Sequence, residues 1–260
     1  MPAHTPLEGT GTDVVRVATA GDIHARSSRR EAVERSFAAL EAESIDLVLL
    51  AGDLTTWGEP EEAAILAAAS RPLTAPVIAV LGNHDWHAGR GDEVAAALEA
   101  GGVEVLEGAH TIRRVREHEI GVVGGKGFVG GFGSAQLPDF GEPLLRDVYA
   151  ETSRTVDALD RGLRAVANCA VRIVLLHYSP VAATLEGEHP QIWPFLGAER
   201  MAVPILEHRP DLVLHGHAHA GRVEGRISDV PVYNVSVPVI KRDFWTVEVS
   251  VKAAPVAPIR

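Results

Sequence analysis

Cysteine is all but missing from this 260-residue chain, in which Cys169 stands alone. One thiol closes no internal disulfide and leaves no cysteine-based zinc pattern to build. Its setting, the apolar stretch 166–176, reads as that of an inert core residue rather than a nucleophile. Long apolar runs are missing too. No stretch reaches 18 uninterrupted apolar residues, so no membrane-crossing helix is expected. Residues 1–12 have neither the basic start nor the apolar run of a signal peptide, and they read as a loose tail on a cytoplasmic protein. There is no basic surplus: 24 Lys and Arg against 35 Asp and Glu give a net charge of −11. That balance disfavours nucleic-acid binding through a basic surface, although metal ions could still draw a phosphate to an acidic protein. The glycine-dense segment 124–133 carries Lys126 but no GK[ST], and Pro138 and Asp139 follow it instead of a helix start, so a nucleotide P-loop is excluded. No internal repeat and no clear linker is present. The chain therefore reads as one domain, 13–252, with a C-terminal tail, 253–260, that carries two prolines and frays.

What is present is a 46% hydrophobic content, enough for a sizeable core. The segments 14–20, 47–51 and 77–81 read as strands, and helical patterns lie between them. Ser28 to Glu31 resembles a capping box before the first helix, Pro60 suits the first turn of the second, and 92–100 reads as a third. This alternation predicts βαβ units and a mostly parallel sheet. Short strands are expected at 103–105, 111–115 and 120–124. A long helix follows, with Tyr149, Thr152, Val156, Leu159, Leu163 and Val166 on one face. Strands at 173–176 and 212–214 come next, and 230–235 and 244–251 read as strands of a second sheet.

Five polar clusters share one position, just past the end of an apolar strand. They are Gly21-Asp22-Ile23-His24, Gly52-Asp53, Gly82-Asn83-His84-Asp85, His177, and Gly216-His217-Ala218-His219. Ligands in open α/β sheets collect beyond the carboxyl ends of strands. Glycines would let the backbone turn there, and the spacing of two in Asp22-x-His24 and His217-x-His219 would put both side chains on one face of an extended segment. Carboxylates with imidazoles suit divalent first-row metals. Asp53 has two oxygens with which to bridge a pair of ions, and Asn83 offers a neutral carbonyl. Taken singly, each Asp or Asn could cap a turn, and each His could be a hydrogen-bonded, partly buried residue.

In order and spacing, the five clusters resemble the calcineurin-like metallophosphoesterases, whose pattern is DxH, GD, GNH(D/E), a lone His, then GHxH. The resemblance covers about 14–251. It implies an α/β fold, a two-sheet β-sandwich flanked by helices on both sides in four αββα layers. It also implies two divalent transition-metal ions, with Mn, Fe, Zn and Ni all fitting. Asp22, His24 and His219 would hold one ion, and Asn83, His177 and His217 the other. Asp53 would bridge them. A hydroxide shared by the metals would attack phosphorus, His84 would protonate the leaving oxygen, and Asp85 would orient His84. His84 also fits a second role, as a phosphate-binding group. The implied substrate is a small phosphate ester; monoesters and diesters both fit, and no oligomeric state is implied.

Two other function classes are compatible with the fold: a catalytically silent scaffold that binds a protein partner, and a dinuclear hydrolase acting on a non-phosphorus bond. No ligand position departs from the pattern, which counts against the first, and the GNHD element counts against the second. His215 reads as structural, pointing away from its neighbours. His4, His110, His118 and His208 read as surface residues, and His87 as either a solvated loop residue or part of the site mouth. Asn234 reads as a strand-end hydrogen-bonding residue. Arg26, Arg29 and Arg30 could greet a phosphate, with a solvated helix face favoured for the last two. The segment 178–195, with Glu186, His189 and Trp193, either shapes the pocket or caps the fold.

Overall fold

The structure is a computed structural model describing residues 13–251. Both terminal tails read from the sequence, 1–12 and 253–260, lie outside the described residues, as does residue 252. In chain order the elements are β1 (Val14–Ala20), α1 (Arg30–Glu41), β2 (Leu47–Ala51), α2 (Pro60–Ser70), β3 (Val77–Val80), α3 (Gly91–Glu99), β4 (Val103–Val105), β5 (Ala109–Val115) and β6 (His118–Gly125). A short hairpin, β7 (Gly131–Phe132) and β8 (Ala135–Gln136), precedes the long α4 (Pro143–Ala165) and then β9 (Val171–Leu176). The remainder is α5 (Trp193–Leu196), α6 (Ala202–His208), β10 (Leu212–His215), β11 (Glu224–Ile227), β12 (Val230–Asn234), α7 (Val237–Ile240) and β13 (Trp245–Ser250).

The strands form a five-stranded sheet, β13-β1-β2-β3-β4, and a six-stranded sheet, β11-β12-β10-β9-β6-β5. Within each, the central strands run parallel and the outer antiparallel strands close an edge. The two sheets face each other across one apolar layer, in which Val15, Val17, Leu49 and Ile78 meet Ile120, Val122, Ile173 and Leu214. The opposite faces are covered by helices. Phe37 of α1, Leu66 of α2 and Leu98 of α3 pack on Ala18, Leu50 and Ala79, while Leu159 and Leu163 of α4 and Ile205 of α6 pack on Val123, Val174 and Val213. Strands buried on both faces need no polar alternation, which is why β2 reads LVLLA and β3 reads VIAV with every residue buried. Each fully buried Leu, Ile or Phe in these layers contributes about 1.5–3 kcal/mol. The architecture is the four-layer αββα sandwich.

Two expectations need correction. The last strand, β13, pairs antiparallel with β1 and so belongs to the first sheet, not the second. There its buried Val247 and Val249 face the layer between the sheets, and the pairing closes the open edge of β1. The capping box at Ser28 is not formed. Ser27–Arg29 make a single 3₁₀ turn, and Arg29 caps α1 through its backbone without a side-chain bond. That turn already satisfies the Arg29 amide through the Arg26 carbonyl, so the helix starts without a hydroxyl cap.

Candidate metal centre

Parallel strands deliver their carboxyl ends to one rim, and the two sheets meet there. Asp22 and His24 follow β1, Asp53 follows β2, Asn83 follows β3, His177 follows β9, and His217 and His219 follow β10. Nε2 of His219 lies 2.8 Å from Oδ1 of Asp22, and the His217 amide donates to Oδ2 of that carboxylate at 3.0 Å. Nε2 of His177 is 2.9 Å from Oδ1 of Asn83 and 3.3 Å from Oδ1 of Asp53. Nε2 of His24 is 3.9 Å from Oδ2 of Asp53. Two groups result. Donor atoms of Asp22, His24 and His219 all lie within 4.8 Å of one another, as do those of Asp53, His177 and His217. Asp53 stands between the groups, one oxygen toward His24 and the other toward His177.

The backbone reaches this convergence by a different route from the one the spacing suggests. Asp22, His24, Asp53 and His217 all have positive φ, at 60°, 49°, 50° and 68°. The segments are therefore not extended, and Asp22-x-His24 does not present one strand face. His217 and His219 even join different groups. Aspartate tolerates the left-handed region better than most residues, which suits it to two of these turns. The glycines serve mainly for close approach. At Gly82 a Cβ would collide with the Asp53 carboxylate, and at Gly216 it would stand 2.5 Å from Oδ2 of Asp22.

The electrostatics favour a bound cation. Nδ1–H of His177 donates to the Ala51 carbonyl at 2.8 Å, which leaves the Nε2 lone pair facing the oxygens of Asn83 and Asp53. Nε2–H of His217 donates to the Phe195 carbonyl at 3.1 Å, leaving Nδ1 as its basic nitrogen. Burial first, and the facing His177 second, push the His217 imidazole down to about 3; burial lowers His24 as well. Both stay neutral at ordinary pH, as metal ligands must. Burial opposes the charge on Asp22, but the bond from His219, the facing His177 and the His217 amide overcome it and hold the carboxyl at about 2. The hydrogen bond to Asp22 raises His219. Carboxylate and neutral imidazole donors in two adjoining groups fit divalent ions.

His84 lies beside the first group, its ring centroid 4.6 Å from that of His24. Asp85 does not orient it, contrary to the expectation from the sequence. The fully buried Asp85 carboxylate instead accepts from the amides of Leu54 (3.2 Å), Thr55 (2.8 Å) and Gly82 (2.8 Å) and from the Thr55 hydroxyl (2.6 Å). Those bonds tie the loop after β2 to the loop after β3. The backbone carbonyl of Thr56 orients His84, 2.8 Å from Nδ1, and the His84 amide donates to Oδ1 of Asp53. Asp85→Ala would strand three buried amides. It is expected to cost at least about 3 kcal/mol, at about 1–3 kcal/mol for each of the three unsatisfied amides. Denaturant midpoints at unchanged slope check this.

The neighbours read from the sequence take definite places around this rim. Tyr178 packs its ring against His217 and His177, at centroid distances of 4.4 and 5.5 Å. The segment 178–195 is bonded to the His217–His219 loop. Glu188 accepts from the Ala220 amide, the Thr184 carbonyl accepts from Arg222, and Phe195 accepts from His217. His215 is fully buried and bonded to the Thr184 hydroxyl, and Asn234 donates to the Ala218 carbonyl. His87 stacks over His84 at 6.3 Å, near the exposed Trp57. Arg29 bonds the Ile23 carbonyl and Arg30 pairs with Glu34, whereas Arg26 is exposed. His110 is exposed, while His118 and His208 pair with Asp13 and Asp160; His4 lies outside the described residues. Cys169 is half-buried, and burial pushes its thiol up, which does not suit a nucleophile.

At the outer rim, Glu107 follows β4 and accepts from the Leu81 amide at 3.2 Å. Protein surrounds it on most sides although solvent reaches it. That burial pushes its carboxyl up to about 7, with Asp85 and Asp92 adding to the rise and Lys126 opposing it. Between pH 4.5 and 7 the folded state thus keeps a proton that the unfolded chain releases, so stability falls as pH rises through that window. Glu107→Gln keeps the acceptor for Leu81. Its unfolding temperature is expected to match the parent near pH 4 and to exceed it above pH 7, as read from thermal melts across that range.

A family model described as calcineurin-like phosphoesterase matches residues 15–221. No curated protein matches the sequence. Among solved structures, the phosphopantetheinyl hydrolase of Mycobacterium tuberculosis is similar, with a TM-score of 0.64, 15% identity, and 90% of this chain and 96% of that one covered. The protein TT1561 of Thermus thermophilus is similar at a TM-score of 0.58 and 17% identity, over 90% of this chain and 98% of that one. A phosphatase from Mycoplasma pneumoniae follows at 0.50 and 14%, over 87% and 73%.

Proposed function

This chain belongs to the calcineurin-like phosphoesterase family and is a hydrolase of phosphoester bonds, and on that footing we propose that it cleaves a small phosphate mono- or diester at a centre of two divalent transition-metal ions. The observation that carries this reading is the pair of donor groups joined by Asp53. Asp22, His24 and His219 would hold one ion, Asn83, His177 and His217 the other, with Asp53 shared. Mn, Fe, Zn and Ni all accept this mixed nitrogen and oxygen set. When bound, the ions supply an acidified water and positive charge for the phosphoryl oxygens.

The protein's own groups do the rest. The Ala51 and Phe195 carbonyls hold His177 and His217 in the tautomers that turn a lone pair inward. Thr56 holds Nδ1–H of His84, so Nε2 is the nitrogen that carries a proton to the leaving oxygen. Asp85 locks the two loops that present Asp53 and His84. A net charge of −11 favours a small substrate over nucleic acid.

Elemental analysis of purified protein is expected to find about two metals per chain. A screen of phosphomonoesters and phosphodiesters under several added metals is expected to show turnover that a chelator abolishes. Full activity in metal-free protein would sink this reading.

A further inference from the structure

One strand outward from the metal centre, the same rim holds a cavity of about 280 Å³. Glu107, past the end of β4, and Lys126, past the end of β6, line it, and α4 closes the far side with Glu151, Arg154 and Arg161. β4 neighbours β3, which delivers Asn83, and β6 neighbours β9, which delivers His177. The Lys126 carbonyl accepts from the amides of both His177 and Tyr178, at 3.0 and 2.9 Å. The strand order thus sets the cavity beside the strands that deliver Asn83 and His177.

Three cations, Lys126, Arg154 and Arg161, face two carboxyl groups here, Glu107 and Glu151, and Glu107 lies near enough to Lys126 for their charges to interact. Glu151 is already paired with Arg154. Arg161 makes no hydrogen bond or ion pair among the described residues. The Lys126 ammonium has only a 3.4 Å contact to the Gly127 carbonyl and the faces of Phe128 and Tyr178, at 4.5 and 5.5 Å, with no carboxylate in bonding range among the described residues. Glycine backbone forms the floor; Gly108 and Gly127, both at positive φ, present no side chain there.

We propose that this cavity binds a small oxyanion, phosphate or carboxylate, between Lys126 and Arg161. Its source is either a second anionic group of the substrate or a free anion. The first source rests on the phosphoesterase reading, whereas the binding itself does not.

Calorimetric titration of inorganic phosphate into the full-length chain, as purified and after chelation, tests the site. One phosphate site is expected to survive chelation, and Lys126→Met and Arg161→Met should each weaken it about tenfold, as loss of a charged hydrogen bond does. No binding after chelation, or binding that both substitutions leave unchanged, overturns the proposal. The metal-loaded enzyme separates the sources. If Lys126→Met lowers the kcat/KM ratio of a carboxylate-bearing monoester to 4-nitrophenyl phosphate about tenfold, the anion belongs to the substrate. If the ratio holds while phosphate binding is lost, the anion is a free one.

Discussion

Asp53→Asn is expected to lose both metals and more than about 10³-fold in kcat/KM, since loss of groups behind a ligand alone costs about 10–100-fold. The substitution is nearly isosteric. It keeps an oxygen to accept from the His84 amide, so the loop after β3 stays in place. What it removes is the charge that both donor groups share. A second readout separates a lost ligand from a broken fold. Burial first, and the neighbouring Asp53 second, raise the Asp85 carboxyl, so two carboxylates repel each other in the metal-free protein. Removing one charge should therefore raise the unfolding temperature of the metal-free protein. Elemental analysis, kinetics and melts on one preparation check all three effects. Unchanged turnover would remove Asp53 from the centre.

The second large effect concerns His84. His84→Gln is expected to slow alkyl phosphate esters by roughly 10²–10⁴-fold, the range of a lost general acid. Activated aryl esters, whose leaving oxygen needs no proton, should lose far less. The quantity to measure is the dependence of log kcat on leaving-group basicity, which should steepen in the variant. Metal content should not change, because His84 is in neither assigned ligand set and its amide bond to Asp53 is kept. An equal loss on both ester classes would make His84 a phosphate-binding group.

Which of these features could be seen in the sequence follows from how local each one is. Five short motifs at strand ends announced the rim, because each motif is one to four residues long and a strand end is a local event. Sheet membership was less visible. β13 shows the alternation of a half-buried strand, but nothing in Trp245–Ser250 names β1 as its partner. The edge strand β11 has no alternation to detect, and α6 carries Pro204, which reads as a breaker. The groups that set tautomers are backbone carbonyls of Ala51, Thr56 and Phe195, and every residue owns one. Asp85 misled for a related reason. Adjacency to His84 suggested a side-chain partner, whereas a buried carboxylate beside three free amides bonds those instead.

The left-handed backbone at Asp22, His24, Asp53 and His217 carries one more consequence. Each such position costs of order 1 kcal/mol, and glycine relieves that cost. Strain and hydrogen bonding thus oppose each other at Asp22 and Asp53, while at His24 the strain has no such offset. At His24, whose ring makes no hydrogen bond among the described residues, inactivation would therefore relieve strain. A thermostability screen that ignores turnover should therefore accept glycine at His24 first, whereas glycine at Asp22 or Asp53 would strand the amides of His217 and His84.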